Sequence, residues 1–297
     1  MSLPLLVPTA GGTASPSPRS QADALASTGG VKRTGGGDAI GPTTLLCASG
    51  RGGSGTTLLS ALLAVAAAGE GHRVLLIDAD DFVGPLAMTL GVSPRATWQD
   101  LRGGRATPAD VATPVSATLT LVAGGAARRA TEGAPALTAA ERKACLRRLG
   151  SLTEGMDLVV IDCGSRLESV LAAITPHSGE RLMAIASGSD PVGLAATYAL
   201  CKAVAARHGA LPVEVLVNRL EGSDATRCFD AIDTGARQFL GLSLRLAGAI
   251  PADPTLDAAL RKGMPFPDAA VGSPAAVAAH DVVTRALTAR PLSRSGV

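Results

Sequence analysis

The 297-residue sequence predicts a doubly wound α/β domain on a mostly parallel sheet, and three observations carry that prediction. Apolar strand-like runs alternate with helix-like segments from Pro42 onward, as a parallel sheet with crossover helices requires. Several runs are apolar throughout instead of alternating, the pattern of strands covered by helices on both faces. Glycine-rich or acidic stretches follow directly after three of the runs, where open α/β sheets place their ligand sites.

Taken in order, residues 1–41 are rich in Gly, Pro, Ser, Thr and Ala, the composition of a disordered arm. Within it, Ser20–Ala26 has the makings of a short helix on a partner. The domain is expected to span 42–290, with a tail at 291–297. Its strand-like runs are Thr44–Ala48, Val74–Ile77, Leu119–Val122, Leu158–Ile161, Leu182–Ala186, Val213–Val217 and Leu246–Ile250. Candidate helices between them are Thr57–Ala68, Ala139–Leu149, Gly193–Arg207, Ala225–Phe239 and Pro254–Arg261. A last one, Ala275–Ala289, follows Ser273-Pro274, an N-cap and a first-turn proline. No internal repeat and no second-domain boundary is visible.

Composition narrows the function. A net charge of +2 gives no electrostatic case for nucleic acid as the main partner, and 2% aromatic residues leave little for base stacking. Cys47, Cys145, Cys163, Cys201 and Cys228 are odd in number, scattered and without a Cys-x-x-Cys pair. That fits a reduced cytoplasm and neither a disulfide framework nor a zinc site. No uninterrupted apolar stretch reaches the ~20 residues that span a bilayer, and the ending Arg290–Val297 has no aromatic anchor, so membrane contact is expected to be weak or indirect.

The chemistry concentrates in three places. Ala48-Ser49-Gly50-Arg51-Gly52-Gly53-Ser54-Gly55-Thr56-Thr57 joins a predicted strand to a predicted helix. Glycines there let successive N–H groups turn toward one anion, and the helix dipole adds partial positive charge. It reads as a phosphate-binding P-loop, except that the usual Gly-Lys-Ser/Thr ending has Thr56 in the lysine place. Asp78-Ala79-Asp80 and then Asp81 follow the second run, and Asp162-Cys163-Gly164-Ser165 follow the fourth. A strand-end acid with a hydroxyl partner suits Mg²⁺, which prefers hard oxygen ligands; Asp162 and the Thr57 hydroxyl are the candidates. Asp78 and Asp80 share one side of an extended chain, one to orient an attacking water and the other to support the loop or metal. Singly, a strand-end Asp is usually a helix cap and a glycine-rich turn only a turn. Their combination in this order, each after its own strand, points to a nucleotide pocket.

At these residues the sequence resembles the MinD/ParA class of P-loop ATPases over about Thr44 to Ala289. Arg51-Gly52-Gly53-Ser54-Gly55-Thr56-Thr57 aligns with the deviant Walker A motif of that class, whose two lysines are here Arg51 and Thr56. Val217-Asn218-Arg219 and Ile250-Pro251-Ala252-Asp253 resemble the elements that flank adenine in the family. Asp190-Pro191 and the segment through Tyr198 and Lys202 resemble the stretch after the next strand. Within the class, the flagellar-number regulator FlhG is the most similar in look, by Asp78-Ala79-Asp80, Gly164 and the stretch from Pro265 to Ser273-Pro274. Gln21-Ala22 and Leu25 are similar to the element with which that branch engages its GTPase partner FlhF.

The resemblance implies ATP and Mg²⁺ as cofactors and a face-to-face homodimer. Gly50, Gly52, Gly53, Ser54, Gly55 and Thr56 would form the phosphate cradle, and Thr57 and Asp162 would hold Mg²⁺. Asp80 would position water, Asp78 would support the switch, and Arg51 would act in trans. Asn218, Arg219, Pro251 and Asp253 would lie at the base. The function implied is nucleotide-dependent positioning or number regulation with weak or absent hydrolysis. Two alternatives stand beside it: a pseudo-ATPase scaffold of the CpaE/TadZ type, and a ParA-like partition ATPase on DNA, which the near-neutral charge disfavours.

Overall fold

The apolar runs form one eight-stranded sheet among the described residues, in the order β3-β4-β2-β5-β1-β6-β7-β8. The computed structural model describes residues 41–80, 84–125, 137–175, 179–188, 190–209 and 211–289. The expectations for residues 1–40, for Asp81 and for the 291–297 tail lie outside them. Strands β1 (Thr43–Ser49), β2 (Val74–Asp78), β3 (Ala112–Pro114), β4 (Leu119–Val122), β5 (Leu158–Asp162), β6 (Glu180–Ser187), β7 (Val213–Asn218) and β8 (Arg245–Ile250) follow in chain order. All described pairings are parallel except β3 with β4. The sequence reading missed β3, three residues ending in a proline on the sheet edge, which carry no apolar run to detect.

The strands other than the edge strand β3 send side chains into two separate cores. Leu45 and Cys47 of β1, Leu76 of β2 and Val160 of β5 face one; Leu46, Ala48, Leu75 and Ile161 face the other. The first core lies under α1 (Thr56–Gly69), α2 (Leu86–Thr89), α8 (Pro254–Arg261), α9 (Phe266–Ala270) and α10 (Pro274–Thr288). The second lies under α3 (Pro108–Val111), α4 (Ala139–Arg148), α5 (Leu167–Ala173), α6 (Pro191–Ala205) and α7 (Gly222–Leu240), with a 3₁₀ segment Trp98–Gly104. Burial on both faces explains why these strands read as unbroken apolar runs.

α1 is the central helix. Its Leu- and Ala-rich sequence favours helix, and it packs both on the sheet and against α10. Helix starts follow capping chemistry. Asp190 accepts the Gly193 N–H at 2.8 Å ahead of Pro191, and Ser273 accepts the Ala276 N–H at 3.1 Å ahead of Pro274. All five cysteines are buried free thiols, and no described helix is long and apolar enough to cross a membrane.

Candidate functional site

The carboxyl ends of β1, β2, β5 and β7 converge on the loop Gly50–Gly55, which leads into α1. Two glycines are there for contact as much as for turning. A Cβ on Gly50 would lie 1.9 Å from the Ala196 carbonyl oxygen of α6, so the loop rests directly on that helix backbone. Gly55 sits at φ +87°, a left-handed conformation that side chains avoid, and its Cβ would meet Asn218 Nδ2 at 2.6 Å. Gly52 and Gly53 form the exposed crest.

Hydroxyl groups stitch the loop from inside. The Thr56 hydroxyl donates to Ser49 Oγ at 2.9 Å, and Ser49 and Ser54 both donate to the Arg51 carbonyl, at 2.8 and 3.1 Å. Ser49, Ser54 and Thr56 are all buried. The position of a P-loop lysine is thus filled by a neutral side chain turned into the protein. Arg51 is held in its own chain: its guanidinium makes a two-pronged contact with Asp190, at 3.1 and 2.7 Å, and a third bond to the Ser187 carbonyl at 3.3 Å. The N–H of Gly193 and then the Arg51 guanidinium hold the Asp190 carboxyl below the usual range.

Beneath the loop, strand alternation brings two fully buried acids to the α1 face. Asp78 and Asp162 are in-register partners on β2 and β5. Asp78 accepts the Leu86 and Asp80 N–H groups, each at 3.1 Å, and so caps α2. Burial, then the charge of Asp162, raises its pKa well above the usual carboxylate value, against those two donors. Burial likewise pushes Asp162 up to about 6, against the Thr57 hydroxyl and the Gly164 N–H. Gly164 occupies Oδ1 at 3.1 Å, whereas the buried Oδ2 of Asp162 has no hydrogen-bond partner among the described residues.

A buried carboxylate that the Thr57 hydroxyl reaches and that keeps one oxygen without a hydrogen-bond partner among the described residues is a donor set that fits Mg²⁺. Thr57 and Asp162 are therefore the residues that would hold it, and the ion would supply positive charge at the phosphates. Asp80 lies two residues beyond Asp78 at the same rim, partly buried. Sequence reasoning missed what fixes this segment. Trp98 Nε1 donates to the Asp78 carbonyl at 2.7 Å, and Gly124 lies so near that a Cβ would meet the Asp80 and Asp78 carbonyls at 2.3 and 2.5 Å. The Gly124-Gly125 pair after β4 was the available signal.

On the other side of Gly55, a cavity of about 320 Å³ opens between α1, the ends of β7 and β8, and α8. Leu58, Leu62, Ile250 and Phe266 give it apolar walls, and Asn218, Arg219, Pro251 and Asp253 all line it. Asn218 Nδ2 donates to the Ser54 carbonyl at 2.9 Å, joining this cavity to the phosphate loop. Arg219 takes a left-handed backbone at φ +62° and donates its N–H to the Ile250 carbonyl at 2.8 Å. Asp253 is committed to structure: one carboxylate oxygen accepts the Leu256 N–H of α8 at 2.9 Å, the other the Ala275 N–H of α10 at 3.1 Å. Against the burial that would raise it, these donors keep its carboxyl below the usual range. Its part in the cavity is to fix two helix starts around it. The structure thus places Asn218, Arg219, Pro251 and Asp253 on an apolar cavity that meets the loop at Gly55, while Asp78 and Asp162 lie fully buried beneath the loop.

Comparison with known proteins agrees with that fold. Residues 45–266 match the model of the CobQ/CobB/MinD/ParA nucleotide binding domain. The antiactivator FleN of Pseudomonas aeruginosa is 27% identical over 218 residues, covering 72% of this chain and 75% of FleN. Among solved structures, MinD in the MinC:MinD cell division complex of Aquifex aeolicus superposes with a TM-score of 0.64 at 21% identity, over 84% of this chain and 98% of that one. MinD of Pyrococcus horikoshii, complexed with Mg-ADP, gives 0.62 at 20% identity, over 82% and 94%.

Proposed function

The chain belongs to the CobQ/CobB/MinD/ParA nucleotide-binding family, and on that premise we propose that it binds Mg-ATP, pairs with a second copy, and acts as a positioning or number-regulating switch with little or no turnover. The observation that carries the proposal is the placement about one glycine-rich loop of a buried Asp162 oxygen without a hydrogen-bond partner among the described residues and, on its other side, the cavity whose Asn218 amide bonds the loop. In this reading the backbone of Gly50–Thr56 cradles phosphates, Thr57 and Asp162 hold Mg²⁺, and the cavity beside Asn218 and Pro251 takes adenine. An amide offers the donor and acceptor that adenine's edge requires. Asp80 positions water and Asp78, capping α2, transmits the state of the site. Similarity to FleN supports an FlhG-like role. Arg51 reaches a partner copy only after leaving Asp190.

One observation favours a second reading, the pseudo-ATPase scaffold. Hydrolysis needs charge stabilisation in the transition state, and Thr56 offers none, its hydroxyl being committed to Ser49. Titrating Mg-ATP while measuring binding, particle mass and phosphate release separates the two. Binding and pairing with slow release support the switch, and binding and pairing without release support the scaffold. A wild type that binds no nucleotide removes both. Release created by Thr56→Lys would show that the carboxylates are placed for turnover.

A further inference from the structure

Among the described residues, the charges around the phosphate end do not balance. The loop's arginine is occupied by Asp190 and the Ser187 carbonyl. The Thr56 hydroxyl is buried and satisfied by Ser49, so it brings neither charge nor a spare proton. Below the loop, Asp78 and Asp162 place two carboxyl groups side by side in full burial, and Oδ2 of Asp162 has no hydrogen-bond partner among the described residues. The α1 N-terminus adds only partial charges. A polyphosphate brought here as a free anion meets the negative charge of the Asp162 carboxylate in a low-dielectric setting, where such repulsion is strong.

Resting on the reading of the cleft as a nucleoside triphosphate site, we propose that Thr56 makes a divalent cation an obligate part of the ligand: nucleotide is accepted as its metal complex and rejected as the free anion. In a P-loop with lysine, a fixed ammonium partly neutralises the phosphates whether or not metal is present. Here the metal is the counter-charge, and its seat on Asp162 and Thr57 also quenches the buried carboxylate. Thr56 is thereby a specificity residue for the charge state of the nucleotide, independent of any role in turnover.

The test is equilibrium binding of ATP to the full chain in excess Mg²⁺ and in excess EDTA at matched ionic strength. The wild type is expected to bind at least about 100-fold more weakly in EDTA, the upper range for losing a charged hydrogen bond. Thr56→Lys should shrink that ratio to about tenfold or less. Asp162→Asn, which deletes a repelling charge and a metal ligand together, should bring the two affinities together from both sides. Should Thr56→Lys fail to fold, the wild-type ratio and Asp162→Asn carry the test. Wild-type affinities within about threefold of each other overturn the inference and leave the nucleotide reading standing. Metal-free binding that grows with protein concentration also overturns it, in favour of Arg51 arriving from a second copy. No binding even in Mg²⁺ overturns the nucleotide reading and this inference with it.

Discussion

The two ends of the cleft are held differently. The base end is an apolar cavity whose shape comes from helix starts: Asp253 pins α8 and α10 around it, and Asn218 ties it to the loop. The phosphate end is a backbone cradle whose side chains have turned inward, hydroxyl to hydroxyl, over two buried acids. Both ends have a defined shape, whereas the loop's one fixed positive charge, Arg51, is turned onto Asp190. Affinity draws on both shape and charge, but transition-state stabilisation draws chiefly on charge. Recognition and turnover can therefore separate in this molecule.

The largest expected effect strikes both ends at once. Gly50→Ala drives a methyl group to within 1.9 Å of the Ala196 carbonyl; overpacking of that kind destabilises by about 1–3 kcal/mol or more. Urea denaturation should show a lowered midpoint, with nucleotide binding lost in the folded fraction. A near-native midpoint would mean that the loop is free to lift from α6.

Asp162→Asn should pull the contrast apart. Its carboxyl is raised to about 6 in the fold, so between the ordinary value near 4 and about 6 the folded state holds the proton that the unfolded chain releases. Stability from this group is therefore full at low pH and falls as pH rises through that window. The asparagine variant, without metal, should be more stable than wild type at pH 7 by about 3 kcal/mol, following about 1.4 kcal/mol per unit. Melting curves at pH 4 and pH 7 check the sign, since the gain should vanish at the lower pH. The same variant should bind Mg-ATP more weakly than wild type, which a gain in stability alone would not produce.

Asn218→Ala tests the tie between the ends. Removing the bond to the Ser54 carbonyl should lower stability by about 1 kcal/mol and weaken nucleotide binding about tenfold, read by calorimetry. Loss of stability without loss of affinity would make Asn218 a brace only. The smallest effect is expected from Arg51→Ala. Its contact with Asp190 is exposed, so the denaturation midpoint should barely move. Any change should appear in the mass of the Mg-ATP complex, and an unchanged dimer would remove Arg51 from the interface.

Much of this was legible from residue order. Seven strands fell within one or two residues of their predicted bounds because burial on both faces leaves uninterrupted apolar runs. Pro254–Arg261 was predicted to the residue because Asp253-Pro254 spells a helix start. The short pieces were not legible. The helices Pro108–Val111, Leu167–Ala173 and Phe266–Ala270 are shorter than two or three turns, too short for a period to show. In the site, residue types and sequence order gave the constellation, but partner choice escaped. Nothing in Ser49 or Thr56 announces that their hydroxyls meet, and Asp190 reads only as a cap until Arg51 is seen on it. Asp253 was expected at the base and proved to be a double cap, because carboxylates near helix starts are claimed by backbone N–H groups.

The bare Cα of Gly50 has a mechanical meaning. With no side chain between them, the loop and α6 are in backbone contact, and Arg51 clasps the cap of the same helix. α6 runs 15 residues, about 22 Å, along the face opposite α1 and packs against α7. Its N-terminal half carries the phosphate cradle and its flank carries α7, so the one helix spans from the loop to the side of the domain.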